Sequence, residues 1–106
     1  MITVKFERQN GRVTSFEVSG HSGYAEEGAD IVCASVSSVV WTTVNGITEI
    51  LGIPAKVIQK EAYVSCTLPH LNNEVAEKAD VLLQSMVMFI DNLASQYSDF
   101  ISKSEV

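Results

Sequence analysis

The sequence predicts an α+β fold: one domain spanning residues 1–106, in which two main helices pack on an antiparallel-rich sheet. Three observations predict it. The N-terminus alternates apolar and polar residues, a long charge-free stretch with helical spacing follows, and a second alternating stretch leads into a second helical one. This gives the order ββαββα. At 106 residues the chain has the size of one domain and can bury a core without disulfide bonds or metal.

Two N-terminal stretches alternate in this way, residues 2–7 and 15–19. The Asn10-Gly11 pair between them is typical of a two-residue turn, but such a turn would place apolar side chains opposite polar ones. A three-residue loop that includes Gln9 instead pairs Val4 with Phe16 and keeps the apolar side chains on one face. We therefore predict this longer loop, with Gly11 in the left-handed conformation.

The first helix is predicted to begin at an Asp30 N-cap and to end at Gly52, before Pro54. Residues 31–48 carry no charge, and an uncharged stretch of this length could be a membrane span. Six hydroxyl side chains and one amide within it argue against a lipid-facing helix, so we expect a buried helix and no membrane partner. Its predicted apolar face consists of Val32, Val36, Val39, Val40, Ile47, Ile50 and Leu51.

A second hairpin is predicted from residues 55–59 and 62–68, with Cys66 as a packed thiol. Asn72 or Asn73 is expected to cap the second helix. The helix stripe comprises Val75, Ala79, Leu82, Leu83, Met86, Ile90, Leu93 and Tyr97, and three apolar residues fall outside it, namely Val81, Met88 and Phe89. These three either widen the core contact or meet a second subunit. We expect residues 102–106 to be a frayed tail.

The net charge of −6 is concentrated in residues 61–106, which hold two Lys/Arg against seven Asp/Glu. This argues against a nucleic-acid partner and is compatible with a basic one.

The N-terminus lacks the pattern of an export signal, so both cysteines are expected to be reduced thiols in the cytoplasm. The two cysteines and two histidines lack the close spacing of a structural zinc site, and we expect no metal or cofactor.

The stretch GHSGYAEEGADIVCASVSS holds the candidate chemistry. With Asp30 as N-cap, Cys33 becomes the third residue of the first helical turn, where the positive end of the helix favours a thiolate. The backbone N–H of Cys33 is then a candidate oxyanion donor, and Ser37 lies one turn further on the same side. His21 is the nearest candidate base. From these residues alone, a cysteine nucleophile with its base and a small buried cysteine beside a polar loop histidine both stay open.

The longer stretch GHSGYAEEGADIVCASVSSVV resembles the signature of the ribosomal-processing cysteine proteases. The resemblance implies that His21 is the base and Cys33 the nucleophile. Asp30 and Ser37 also match the motif, with less defined supporting roles. Family members remove the N-terminal extension of a large-subunit ribosomal protein, at a bond between an apolar, aromatic-rich segment and a small residue followed by basic ones. They also form homodimers.

The glycines Gly20, Gly23 and Gly28 permit backbone angles that other residues resist. We therefore expect residues 20–29 to form a mobile loop hinged at these glycines, with His21 away from Cys33 in part of the population. The alternative to an enzyme is a non-enzymatic ribosome-assembly or peptide-binding protein that uses the same groove.

Overall fold

The computed structural model describes residues 1–20 and 29–106. The predicted ββαββα order is confirmed, and one further strand follows it. The elements are β1 (Ile2–Gln9), β2 (Arg12–Ser19), α1 (Ala29–Asn45) with a π-helical turn (Gly46–Ile50), β3 (Lys56–Lys60), β4 (Tyr63–Thr67), α2 (Asn73–Gln96) and β5 (Ile101–Glu105).

The strands form one sheet in the order β3-β4-β2-β1-β5. Three of the four pairings are antiparallel, as predicted, and β5 runs parallel to β1. The expectation of a frayed tail was therefore wrong. Backbone hydrogen bonds at both ends of β5 hold it, from Ile2 N to Phe100 O at 2.9 Å and from Val106 N to Phe6 O at 2.9 Å. Only Ile101 of this strand is buried, so the sequence shows no alternating pattern there.

The β1–β2 hairpin has the two-residue Asn10-Gly11 turn, and the predicted three-residue loop was wrong. Both turn residues have positive φ, 54° and 82°, so the left-handed conformation predicted for Gly11 is confirmed. Phe6 pairs with Phe16, and the register shifts after Glu7. This β-bulge inserts one extra residue into β2 and thereby returns the apolar side chains of both strands to one face.

Helix α1 packs its valines on the inner face of the sheet, where Val32, Val36 and Val40 are buried. The helix begins at Ala29, so Asp30 is its second residue and the predicted N-cap position was wrong. Its opposite face is exposed although it is uncharged, so the helix is only half buried. By length and apolarity alone, the segment Ile31–Ile50 could also cross a membrane.

The predicted core position of Ile50 was wrong, because this side chain is 83% exposed. Leu51 N donates to Gly46 O at 2.9 Å, an i→i−5 bond that closes the π-helical turn. The wider turn changes the angle between successive side chains, so Ile50 does not return to the core face.

The second hairpin and helix α2 follow the prediction closely. Val57 pairs with Cys66 across the β3–β4 hairpin, and Cys66 is buried. The Asn72 side chain caps α2 by accepting a hydrogen bond from Val75 N at 3.0 Å. Every residue of the predicted α2 stripe is buried or half-buried, whereas the three apolar residues outside it are exposed.

The end of β2 is held from two sides at Gly20. Its N–H donates to Ala62 O, in the β3–β4 turn, at 2.9 Å. Its φ is 94°, and a Cβ added there would overlap the carbonyl oxygen of Met1. Because the backbone is left-handed at this position and a Cβ would overlap Met1, only glycine fits where the chain leaves the sheet.

We expect Ile101→Ala to lower the free energy of unfolding by about 3 kcal/mol, because Ile101 is 1% exposed and its removal leaves a cavity. Urea denaturation measures this change, and Ser102→Ala, on the exposed side of β5, is the control. Equal stability of the two variants would show that β5 contributes nothing to the folded state.

We expect Gly20→Ala to lower the free energy of unfolding by about 3 kcal/mol, about 1 kcal/mol from left-handed strain and about 2 kcal/mol from the overlap with Met1. Gly11→Ala isolates the strain, since Gly11 has a similar φ but no atom within 4 Å of the added Cβ. The same denaturation experiment compares them. A loss no larger for Gly20→Ala than for Gly11→Ala would contradict the steric argument.

Candidate functional site

Cys33 lies in α1 as the fifth residue of the helix and is half-buried. Its predicted place in the first turn was wrong, because the helix begins at Ala29. Only the first four N–H groups of a helix lack an intrahelical partner. The Cys33 N–H therefore falls within the hydrogen-bonded ladder, and the structure does not support its predicted role as an oxyanion donor.

The Cys33 residue opens into a cleft of about 150 Å³ between α1 and the ends of three strands. We call this the Cys33 cleft. It is lined by Ile2, Val18, Gly20, Cys33, Val36, Ser37, Ala62 and Tyr63. None of these described residues is charged, and the three aliphatic ones are buried. The cleft therefore offers a thiol and a hydroxyl above an apolar floor, which suits an apolar side chain of a ligand.

Three of the site residues predicted from the sequence come together in this cleft. Ser37 is one helical turn beyond Cys33 on the same side, as expected, and both line the cleft with Gly20. Gly20 directly precedes His21 in the chain, so the anchored end of β2 leads from the cleft to the candidate base.

The other predicted site residues are less defined by the structure. Asp30 belongs to the first turn of α1, three residues before Cys33. His21, Gly23 and Gly28 lie outside the described residues, as does most of the predicted loop 20–29. Their roles stay predictions.

Sequence reasoning missed the other wall of the cleft, formed by Ala62 and Tyr63. The β2–β4 pairing places this wall, with Ser19 opposite Tyr63. The Tyr63 hydroxyl donates to Glu17 Oε2 at 3.0 Å. No motif signals either residue, because their proximity to Cys33 depends on a pairing between distant parts of the chain.

The two cysteines occupy different environments. Cys66 lies on the inner sheet face with 1% exposure, and burial raises the pKa of its thiol to about 11. It is thus a packed thiol, as predicted, and the raised pKa keeps it protonated. Since Cys33 is the half-buried cysteine that lines a cleft, it is the thiol of this chain that a substrate can reach.

A metal centre finds no support in the described part of the chain, where no three His, Cys, Asp or Glu side chains form a cluster. His21 lies outside that part, so the expected absence of a metal or cofactor stays a prediction.

Comparison with known proteins identifies the family. The chain matches the model of cysteine protease Prp over residues 1–102. Ribosomal processing cysteine protease Prp of Bacillus subtilis (strain 168) is 32% identical over 103 residues, which cover 93% of this chain and 92% of that protein. The family match spans nearly the whole chain.

Solved structures agree with this match. The crystal structure of an essential ribosomal processing protease Prp from S. aureus, in complex with a covalently linked product peptide, has a TM-score of 0.86, 27% identity and full coverage of both chains. The crystal structure of SMU.848 from Streptococcus mutans has a TM-score of 0.84 and 29% identity, covering 100% of this chain and 94% of that one. The resemblance noted in the sequence is therefore confirmed, and the chain belongs to the Prp family of ribosomal processing cysteine proteases.

Proposed function

We propose that this cysteine protease removes the N-terminal extension of a large-subunit ribosomal protein, with Cys33 as nucleophile and His21 as general base. One observation carries the assignment of the nucleophile. Of the two thiols, Cys33 opens into an apolar cleft, whereas Cys66 is buried in the core. We place the reaction in the cytoplasm, because both cysteines are free.

The proposed reaction proceeds through a thioester. The thiol proton of Cys33 passes to His21, and the sulfur attacks the scissile carbonyl carbon. His21 then gives the proton to the leaving amine as the C–N bond breaks. Water hydrolyses the thioester, His21 takes a proton from the water, and the thiol is restored. Ser37 lines the same cleft one helical turn beyond Cys33, and we propose that its hydroxyl hydrogen-bonds the sulfur or the substrate. We retain Asp30 as a supporting residue on the motif alone.

The cleft is compatible with the substrate that the family resemblance implies. Its buried floor of Ile2, Val18 and Val36 accepts an apolar side chain, and its volume of about 150 Å³ limits it to about one such side chain. The chain charge of −6 favours association with a basic protein. A protein that only bound this peptide would not need an accessible thiol at this position.

The outer side of the helix pair presents a further surface, which we call the outer helical groove. Two open cavities of about 440 and 530 Å³ lie along it and share Thr42. The exposed large apolar side chains of this side are Ile50, Val81, Met88 and Phe89. We propose that a second copy of the chain covers this groove, since an uncharged helix face and exposed apolar residues are typical of homodimers.

Cys33→Ala is expected to lower the rate of peptide cleavage at least about 10³-fold, because the thioester cannot form. Cys66→Ala is the matched control and should retain cleavage while losing some stability from the core. The assay uses a peptide that spans the N-terminal extension of the ribosomal protein, with products identified by mass spectrometry. Cleavage at the wild-type rate by a folded Cys33→Ala protein would show that Cys33 is not the nucleophile.

Met88→Lys is expected to weaken self-association at least about tenfold, because it places a charge in an apolar interface at a position that is 68% exposed in the single chain. Sedimentation velocity at micromolar concentration measures the change. Gln59→Lys adds the same charge on β3 and should leave the dimer intact. A wild-type protein that sediments only as a monomer would contradict the proposal.

A further inference from the structure

A further cavity lies on the outer face of the sheet, opposite the face on which the helices pack. We call it the outer sheet groove. It measures about 190 Å³ and is lined by Lys5, Glu7, Ser15, Phe16, Glu17, Tyr63, Ser65 and Thr67. Among the described residues, Tyr63 is the one that lines both this groove and the Cys33 cleft. A peptide that leaves the cleft across Tyr63 therefore enters the groove.

Tyr63 is held in place at this junction from several directions. It is the first residue of β4 and pairs with Ser19 of β2. The residue before it, Ala62, accepts the hydrogen bond from Gly20 N. Its hydroxyl donates to Glu17 Oε2 at 3.0 Å, and both side chains are half-buried. The rim between cleft and groove is therefore preorganised before any peptide arrives.

The Tyr63–Glu17 pair presents only hydrogen-bond acceptors to the groove. The phenol proton is already engaged with the carboxylate, and Glu17 Oε1 accepts no hydrogen bond from any described residue. Lys5 lies opposite Glu17 in the β1–β2 pairing, but the structure contains no ion pair between them. The described lining of the groove holds two carboxylates, Glu7 and Glu17, and one cation, Lys5, so its net charge is negative. Glu7 Oε2 already accepts a hydrogen bond from Ser15 Oγ at 2.9 Å, so Glu17 is the carboxylate that matches a ligand group which donates hydrogen bonds and carries positive charge.

We infer that Tyr63 and Glu17 are specificity-determining residues of the peptidase. The peptide crosses Tyr63, and a lysine or arginine side chain within a few residues of the scissile bond donates to Glu17 in the outer sheet groove. This inference rests on the proposed function, because it concerns the same peptide that reacts with Cys33. It assigns to the sheet face a part of substrate selection that the described lining of the cleft does not perform, since none of those residues is charged.

The test varies one peptide position at a time, from four residues before the scissile bond to four after it, between lysine and its neutral isostere norleucine. The readout is the ratio of kcat/KM for the two peptides, measured with the full-length wild-type protein. At one or two adjacent positions, lysine is expected to be preferred about two- to fivefold, the range for a partly exposed ion pair. The preference should appear in KM and leave kcat unchanged.

Glu17→Gln should bring this ratio to about one, because it keeps an acceptor for the Tyr63 hydroxyl but removes the charge. Tyr63→Phe should reduce the ratio, because the Glu17 carboxylate loses the hydrogen bond that holds it in position. Glu61→Gln is the matched control, since it removes an exposed charge from the same hairpin but lines neither cavity, and it should keep the wild-type ratio.

The outcomes separate this inference from the proposed function. Equal cleavage of lysine and norleucine peptides at every position, or an equal loss of preference in Glu17→Gln and Glu61→Gln, would overturn the role of Glu17 and leave the peptidase assignment standing. A wild-type protein that cleaves no peptide of the series would overturn both.

Discussion

The burial of the valine face of α1 against the inner face of the sheet is the interaction on which the rest of the structure depends. Valine is a poor helix former, and α1 has no charged residue to support it between Ile31 and Asn45. The stability of the helix therefore depends on the burial of Val32, Val36 and Val40 in the core that α1 shares with the sheet and with α2. The same contact fixes the angle of the helix about its axis, and thereby turns Cys33 toward the strand ends.

The elements with a clear periodicity could be predicted from the sequence. Helix α2 has its expected stripe and its Asn72 cap, and Val57 faces Cys66 as the alternation of β3 and β4 indicated. The bulge in β2 could not be predicted from local chemistry, since the sequence indicates it only through the odd spacing between the buried residues Val13 and Phe16. Strand β5 was not predicted, because its hydrogen bonds go to β1, which is far away in the sequence, and because only Ile101 of this strand is buried.

The residues of the candidate site also divide into those that could be predicted from the sequence and those that could not. Cys33 and Ser37 could be related from the sequence, because residues four apart share one side of a helix. Ala62 and Tyr63 could not, because they reach the cleft only through the pairing of β2 with β4. Reactive groups that lie on one helix can thus be predicted from a short sequence motif. The walls that select a substrate are contributed by strands whose neighbours are set by the whole fold.

The parallel pairing of β5 with β1 has a consequence for the synthesis of the chain. Ile2 lines the Cys33 cleft, and its partner in the sheet is Ile101, which follows α2 in the sequence. During translation β1 is made long before β5, so β1 lacks its second neighbour in the sheet until α2 and β5 have been synthesised. A wall of the cleft is therefore completed late, and a nascent chain that stops short of β5 is an incomplete peptidase.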